Sequence, residues 1–460
     1  MSYNYVMRDI IIYKVNKMKL FNTKTNQIEE FKPIKENEVS MYVCGPTVYG
    51  DAHIGNARPI IIFDTLRRLL TALNYKVDFV SNYTDVDDKI ITKAIQEGVD
   101  ETVITKRYID AYEGVRQSLN TLPVLFNPKV TETIPEIVGF IQDLVDKGFA
   151  YNVNGNVYFR VEKADQYGEI SKQRIEDLLV GARIEAESEK ENPLDFTLWK
   201  KTEEGIQWES PWGLGRPGWH TECVVMIHDH FHQMIDIHGG GMDLKFPHHE
   251  NEVAQSRACF NHSLANVWMH NGMLNIDGEK MSKSLGNVML AKDMVQLLGG
   301  PVVRWLMLSA HYRAPINITE EVIETAKTEV NKALAVLKQV EIKSQLSNYD
   351  LNTDLSSEFY TAFLDAMQDD LNTPNAMKSI FDVIKSLNAL IRSKDLKDEL
   401  SVHYQDLIKM LDILGVEHHK TVLNDHQLEL YRLWNEAKAN KDFTLADTYR
   451  QQLIEENVLV

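Results

Sequence analysis

Cysteine is scarce in this chain: three in 460 residues, Cys44, Cys223 and Cys259. So few cannot build a disulfide framework, and in a reducing compartment a cysteine with a role is a metal ligand or a nucleophile. Long uncharged apolar runs are also missing. None approaches the roughly 18 residues that mark a bilayer span, and the opening stretch MSYNYVMRDIIIYKVNKMK is interrupted by Arg8, Asp9 and Lys14. The expectation is a cytoplasmic protein with no membrane partner. Positive charge is in deficit, 49 Lys and Arg against 67 Asp and Glu, a formal net charge of −18. That argues against unselective nucleic-acid binding, although a local basic patch can still steer a polyanion. Repeats of fixed period and low-complexity tracts are absent as well.

What is present reads as globular: 44% hydrophobic and 25% charged residues, enough for substantial cores and about three domains. EVSMYVCG alternates Val39, Met41 and Val43 as a half-buried strand and stops at Gly45-Pro46. In ARPIIIFDTLRRLLTALNY, Ile62, Leu66, Leu69, Leu70 and Leu73 recur at helical spacing, and KVDFVSNYTD reads as the next strand, completing a βαβ unit. TETIPEIVGFIQDLVDKGFAY is helical by pattern and AYNVNGNVYFRV is a hairpin turning on Asn154-Gly155, so this section reads as an insertion. After the charged AESEKEN, alternation resumes: a helix at HTECVVMIHDHF, a strand at QMIDIHG, a glycine turn at GGGMD and a helix opened by KFPHHENEVAQ. Beyond about residue 315 every pattern is helical, a bundle appended to an α/β core.

On the KFPHHENEVAQ helix, His248 and Glu252 lie four apart and share a face, whereas His249 and Glu250 are expected to point elsewhere. Such a pair is either a solvated helix face or half of a metal site. Cys44, at the end of the first strand, and Cys223, near a helix start, could supply the other half; two sulfurs, a nitrogen and an oxygen suit Zn²⁺ better than Mg²⁺ or Ca²⁺. Each cysteine alone also reads as a small buried hydrophobe, and Cys259 stays in that role, two turns beyond Glu252. HIGN, residues 53 to 56, falls between strand and helix, where free amides favour anions and Gly55 admits a ligand closely. KMSKS, residues 280 to 284, follows the hairpin-like LNIDGEKM and presents Lys280 and Lys283, suited to a polyphosphate or simply solvated.

HIGN and KMSKS, in this order and bracketing a split α/β domain, resemble the two signatures of class I aminoacyl-tRNA synthetases. MYVCGPTVY, SNYTDVDDK, GRPGWHTEC, FPHHENE and DDLNTPNA resemble the cysteinyl-tRNA synthetases within that class, over nearly the whole chain from Met18. The resemblance implies a Rossmann-like parallel-sheet catalytic domain in two halves, 18–125 and 211–315, around a connective insertion, 126–210. An all-α bundle, 316–415, and an anticodon-binding helical region, 416–460, would follow, with 1–17 an N-terminal extension. It implies one Zn²⁺ on Cys44, Cys223, His248 and Glu252 that binds the substrate thiolate and discriminates against serine, Glu252 being the labile ligand. ATP would be met by His53, Gly55, Asn56, Gly239, Gly240, Gly241, Asp243, Lys280 and Lys283, with Mg²⁺ accompanying it; His53, Asn56, Lys280 and Lys283 would be catalytic. Cys44, Thr84, Trp219 and His238 would surround the amino acid. The implied reaction is ligation of L-cysteine to tRNA(Cys) through a cysteinyl-adenylate, by a monomer without an editing domain.

Some residues depart from the family pattern. The general signature ends in histidine where Asn56 stands; an amide still donates to phosphate but carries no charge. Relatives commonly continue past ENVLV with a short basic, aromatic tail, so anticodon contacts fall to Tyr431, Arg432, Trp434, Lys438 and Lys441, a set that also reads as a solvated helix face. Two other readings compete: a ligase that passes activated cysteine to a small amine, which the helical C-terminal region opposes, and a zinc hydrolase with Glu252 or Glu250 as base. The second lacks an HExxH pattern and leaves KMSKS unexplained.

Overall fold

The computed structural model describes residues 17–174, 189–280, 289–393, 397–456 and 458–459. Regular structure begins with a hairpin the sequence pattern did not announce, β1 (Lys19–Asn22) and β2 (Gln27–Glu30), since QIEE offers no apolar alternation. Next come β3 (Glu38–Val43), α1 (Ile54–Ala72), β4 (Lys76–Ser81), α2 (Asp88–Glu97) and α3 (Glu101–Ser118). The expected βαβ unit is present, with β3 and β4 parallel. β3 is buried along both faces rather than one, as befits a central parallel strand covered by helices.

Between β4 and the rest of the core lie α4 (Ile134–Asp146) and an antiparallel sheet of β5 (Ala150–Val153), β6 (Asn156–Phe159), β7 (Phe196–Lys201) and β8 (Gly215–Pro217), the last strand beyond the 126–210 expected for an insertion. Its first turn is the two-residue loop of Asn154 and Gly155, at φ 53° and 98°, the backbone that matches strand twist. The core then resumes with α5 (Glu222–Phe231), β9 (Ile235–Gly241), α6 (Glu250–Phe260) and β10 (Ala265–Asn271).

The core sheet runs in the order β10-β9-β3-β4, all parallel. From β3 the chain crosses through α1 to β4 on one side; from β9 it crosses through α6 to β10 on the other. The strand order therefore reverses between β3 and β9, and the crevice beyond their carboxyl ends is where open α/β sheets bind ligands. Gly239, Gly240 and Gly241 are the last residues of β9, not the turn expected from their composition. Packing is the reason: a Cβ on Gly239 would meet the Phe63 ring of α1 at 2.2 Å.

β11 (Leu274–Ile276) and β12 (Glu279–Lys280) form the expected hairpin, followed by α7 (Ala291–Leu298), α8 (Gly300–Leu308) and β13 (Ile316–Ile318), a strand beyond residue 315 that pairs with β11. Lys280 ends β12; Lys283 lies outside the described residues. The remainder is helical: α9 (Glu320–Leu346), α10 (Glu358–Gln368), α11 (Thr373–Leu390), α12 (Asp398–Leu414), α13 (Asp425–Ala439) and α14 (Phe443–Glu455). Two compact units result. One is Lys19–Thr328 with Asp412–Glu417; the other contains Glu329–Leu411 and His418–Val460, where α13 and α14 close on Leu430, Leu453 and Ile342. Among the described residues no helix is long and apolar enough to cross a membrane.

The first unit is pinned by a buried charge network. Arg304 of α8 donates to Asp64 of α1 at 2.7 Å and to the carbonyls of Leu119 and Leu414. Asp64 also accepts from Arg68 and from the Leu122 amide. Asp64→Ala strands a fully buried guanidinium and is expected to lose about 3–5 kcal/mol in urea unfolding, with Asp64→Ala/Arg304→Met losing less than the single variant. A single-variant loss below about 1 kcal/mol would contradict this account.

Candidate active site

Cys44 is the first residue past β3, at the switch point, and its amide donates to the Gly239 carbonyl of β9. Gly45 follows because nothing else fits: a Cβ there would sit 1.6 Å from the Asn82 carbonyl oxygen, and its own N–H is taken by the Asn82 side chain at 2.8 Å. Cys223 is buried in the first turn of α5. His248 and His249 occupy the turn that leads into α6, after a backbone kink at Phe246, and Glu252 lies in the first turn of that helix.

These elements converge. The Cys44 and Cys223 sulfurs are 3.5 Å apart, His248 Nε2 lies 3.6 and 3.7 Å from them, and Glu252 Oε1 lies 3.6 Å from Cys44 and 2.8 Å from His248 Nε2. A tetrahedral zinc with bonds of about 2.3 Å to sulfur would set two sulfurs about 3.8 Å apart. The spacing and the donor set, two thiols, an imidazole and a carboxylate, are consistent with zinc.

The electrostatics point the same way. Burial would raise the Glu252 carboxyl, but His238 and His248 beside it hold it well below the usual range. The hydrogen bond from Cys44 lowers the Cys223 thiol to about 6 against the opposing effect of burial, whereas burial and the neighbouring Cys223 and Glu252 push Cys44 well above its ordinary value. Burial opposes a charged His248, yet Glu252 and Cys223 carry it to about 10. The cluster thus holds a thiolate, a carboxylate and an imidazolium, with protons on Cys44 and His248 that a divalent cation would displace.

Two residues were missed by sequence reasoning. His249 does not point elsewhere: its Nε2 lies 3.4 Å from Cys44, its Nδ1 meets His270 at 2.8 Å, and with Cys44, His238 and Glu252 it forms a second possible donor group. The helical wheel could not reveal this, because the cluster lies between the directions of adjacent residues in the kinked entry turn. Glu222, buried, accepts from Thr84 Oγ1 at 2.9 Å; burial first, then Cys223, keeps its pKa well above the carboxylate range. Glu250 does point away, capping the amides of Gly168, Ile170 and Ser171.

The remaining candidates divide. A cleft of about 710 Å³ is lined by Cys44, His53, Gly55, Asn56, Trp219, Gly241 and Asp243. Trp219 is 42% exposed and stacks on His248, ring centroids 4.6 Å apart. His53 caps α1, and Asn56 Oδ1 accepts its amide at 3.1 Å, leaving the Asn56 amide group to donate. Thr84, His238, Gly239 and Gly240 are buried and do not line the cleft; His238 Nε2 is 2.7 Å from Glu252 Oε2. Past the undescribed 281–288, Met289 and Ala291 bond to Ile54 and Ala52, tying the chain after KMSKS to HIGN. In the C-terminal helices Arg432 pairs with Glu429 and Glu436, and Lys438 covers the Trp434 ring at 4.0 Å. Tyr431 packs on the Leu430 core, and Lys441 is exposed.

A model of the tRNA synthetases class I (C) catalytic domain matches residues 30–328, and a DALR domain model matches 362–417. The chain is 44% identical to the cysteine–tRNA ligase of Halalkalibacterium halodurans over 451 residues, 96% of this chain and 97% of that one. It is 45% identical to a Bacillus cereus cysteine–tRNA ligase over 449 residues, again 96% and 97%. A Mycobacterium tuberculosis methionyl-tRNA synthetase solved in complex with methionyl-adenylate shares the fold, with a TM-score of 0.58 at 15% identity over 89% of this chain and 96% of that one. Catalytic-domain match, sheet order and near full-length identity together make this chain a member of the cysteine–tRNA ligase family of class I aminoacyl-tRNA synthetases.

Proposed function

We propose that the chain joins L-cysteine to tRNA(Cys) with ATP, through a cysteinyl-adenylate. The observation that carries this reading is the meeting of Cys44, Cys223, His248 and Glu252 beside a cleft whose other wall is the N-terminus of α1. In the first step a cysteine carboxylate oxygen attacks the α-phosphorus of ATP and pyrophosphate leaves, Mg²⁺ accompanying the nucleotide. In the second a hydroxyl of the terminal adenosine attacks the carbonyl carbon and AMP leaves.

Cys44, Cys223, His248 and Glu252 would hold one Zn²⁺, which would supply a Lewis acid that favours a thiolate over the harder hydroxyl of serine. His238 holds the far oxygen of Glu252, fixing which oxygen faces the cluster. Thr84 acts at one remove, through Glu222, and Trp219 walls the amino-acid end of the cleft. His53 and the Asn56 amide donate to phosphate at the start of α1, where Gly55 leaves room for close approach, and Lys280 and Lys283 balance the charge that develops. Gly241 and Asp243 face the adenosine side, while Gly239 and Gly240 keep β9 close to α1 and α6. Anticodon contacts fall to Tyr431, Trp434, Lys438 and Lys441. We place the reaction in the cytoplasm, in a monomer, where unpaired thiols 3.5 Å apart stay reduced.

In pyrophosphate exchange, Cys223→Ser is expected to lower kcat/KM for cysteine by about 100-fold or more while KM for ATP stays within about threefold; a parallel rise in KM for ATP would make the metal structural. Zinc uptake between pH 7 and 9 is expected to release about two protons per chain, from Cys44 and His248, and about three below pH 6, where Cys223 is protonated too. Affinity therefore weakens as pH falls. Calorimetry in buffers of different ionisation enthalpy measures the release, and a value near zero would remove these residues as ligands.

A further inference from the structure

The cleft has a second wall that neither signature motif supplies. Lys89 and Lys93, one turn apart on α2, line it together with Tyr49 and Tyr108. Lys89 Nζ lies over the Tyr49 ring at 5.2 Å and Lys93 Nζ over the Tyr108 ring at 4.5 Å. We propose that Lys89 and Lys93 receive the phosphodiester groups of the tRNA's 3′-terminal nucleotides as the terminal adenosine enters the cleft. The inference rests on the ligase reading and names the subsite that reading leaves without residues.

Charge availability singles out these two lysines. Neighbouring cations are committed: Lys200 and Arg216 both bind Asp88, and Lys292 binds Asp51 at 2.7 Å. Among the described residues Lys89 has no carboxylate partner. Lys93 has a long contact to Glu97, 4.0 Å, but Arg107 holds that carboxylate at 2.7 Å. In a chain of net charge −18, two ammonium groups without a close carboxylate on the wall of a ligand cleft are a local attraction for a polyanion. Residues 89 and 93 are about 6 Å apart along the helix axis, so the two ammonium groups share one face of α2. The lining residues His53, Asn56 and Asp243 are left to ATP.

The test compares Lys89→Ala/Lys93→Ala and Lys89→Arg/Lys93→Arg with the full-length wild type. The alanine pair should leave cysteine-dependent pyrophosphate exchange within about twofold, lower kcat/KM for tRNA at least about tenfold, and flatten its log–log salt dependence by about 1.4 to 2. The arginine pair should stay within about threefold of wild type, since it keeps both charges. Loss of exchange in parallel with charging would assign the wall to ATP or pyrophosphate and overturn the inference. Unchanged charging and an unchanged salt slope would overturn it too. A wild type that activates cysteine but charges no tRNA would bring down the ligase reading itself, a distinct outcome.

Discussion

One buried carboxylate organises the centre of this molecule. Glu252, fully buried, is gripped on one oxygen by His238 of β9 and on the other by His248, and that second oxygen faces Cys44. Stripping water from a carboxylate costs several kcal/mol unless charge and hydrogen bonds compensate, so burial alone would neutralise it. Here two imidazoles keep it ionised. The negative charge retained in this way draws a proton onto His248, and the hydrogen bond from Cys44 helps keep Cys223 a thiolate. The result is a set of ligands already part-way to the state a cation requires.

The sheet topology makes that convergence possible. Four donors from three separate stretches of chain meet because β3 and β9 lie side by side with their continuations running to opposite edges, opening a crevice beyond Val43 and Gly241. Glycine lets the backbone close in: Gly45 touches the Asn82 carbonyl and Gly239 the Phe63 ring, approaches that a single methyl group would block. The same switch point brings the α1 N-terminus, and so His53 and Asn56, to the cleft that Trp219 also lines.

Much of this was legible in the residues. The period of Ile62, Leu66 and Leu69 located α1, Asn154-Gly155 located a hairpin, and the order of HIGN and KMSKS carried the family. What escaped reading was tertiary. QIEE has no apolar alternation, so the β1–β2 hairpin was silent. Three consecutive glycines look like a turn and instead end a strand, where the Phe63 ring of α1 presses on the first of them. His249 seemed directed away because a helical wheel fixes directions about one axis but not what stands beside it; the Phe246 kink and the neighbouring β10 bring it to Cys44. Lys89 and Lys93 carried no signal of their own; only the fold brings α2 to the cleft.

The account depends on a metal that holds the substrate by its sulfur. Zinc K-edge X-ray absorption on zinc-loaded protein, with cysteine and then with serine, measures this most directly. Two sulfur neighbours should become three with cysteine, at about 2.3 Å, and remain two with serine. A sulfur count that cysteine leaves unchanged at full occupancy would contradict the account.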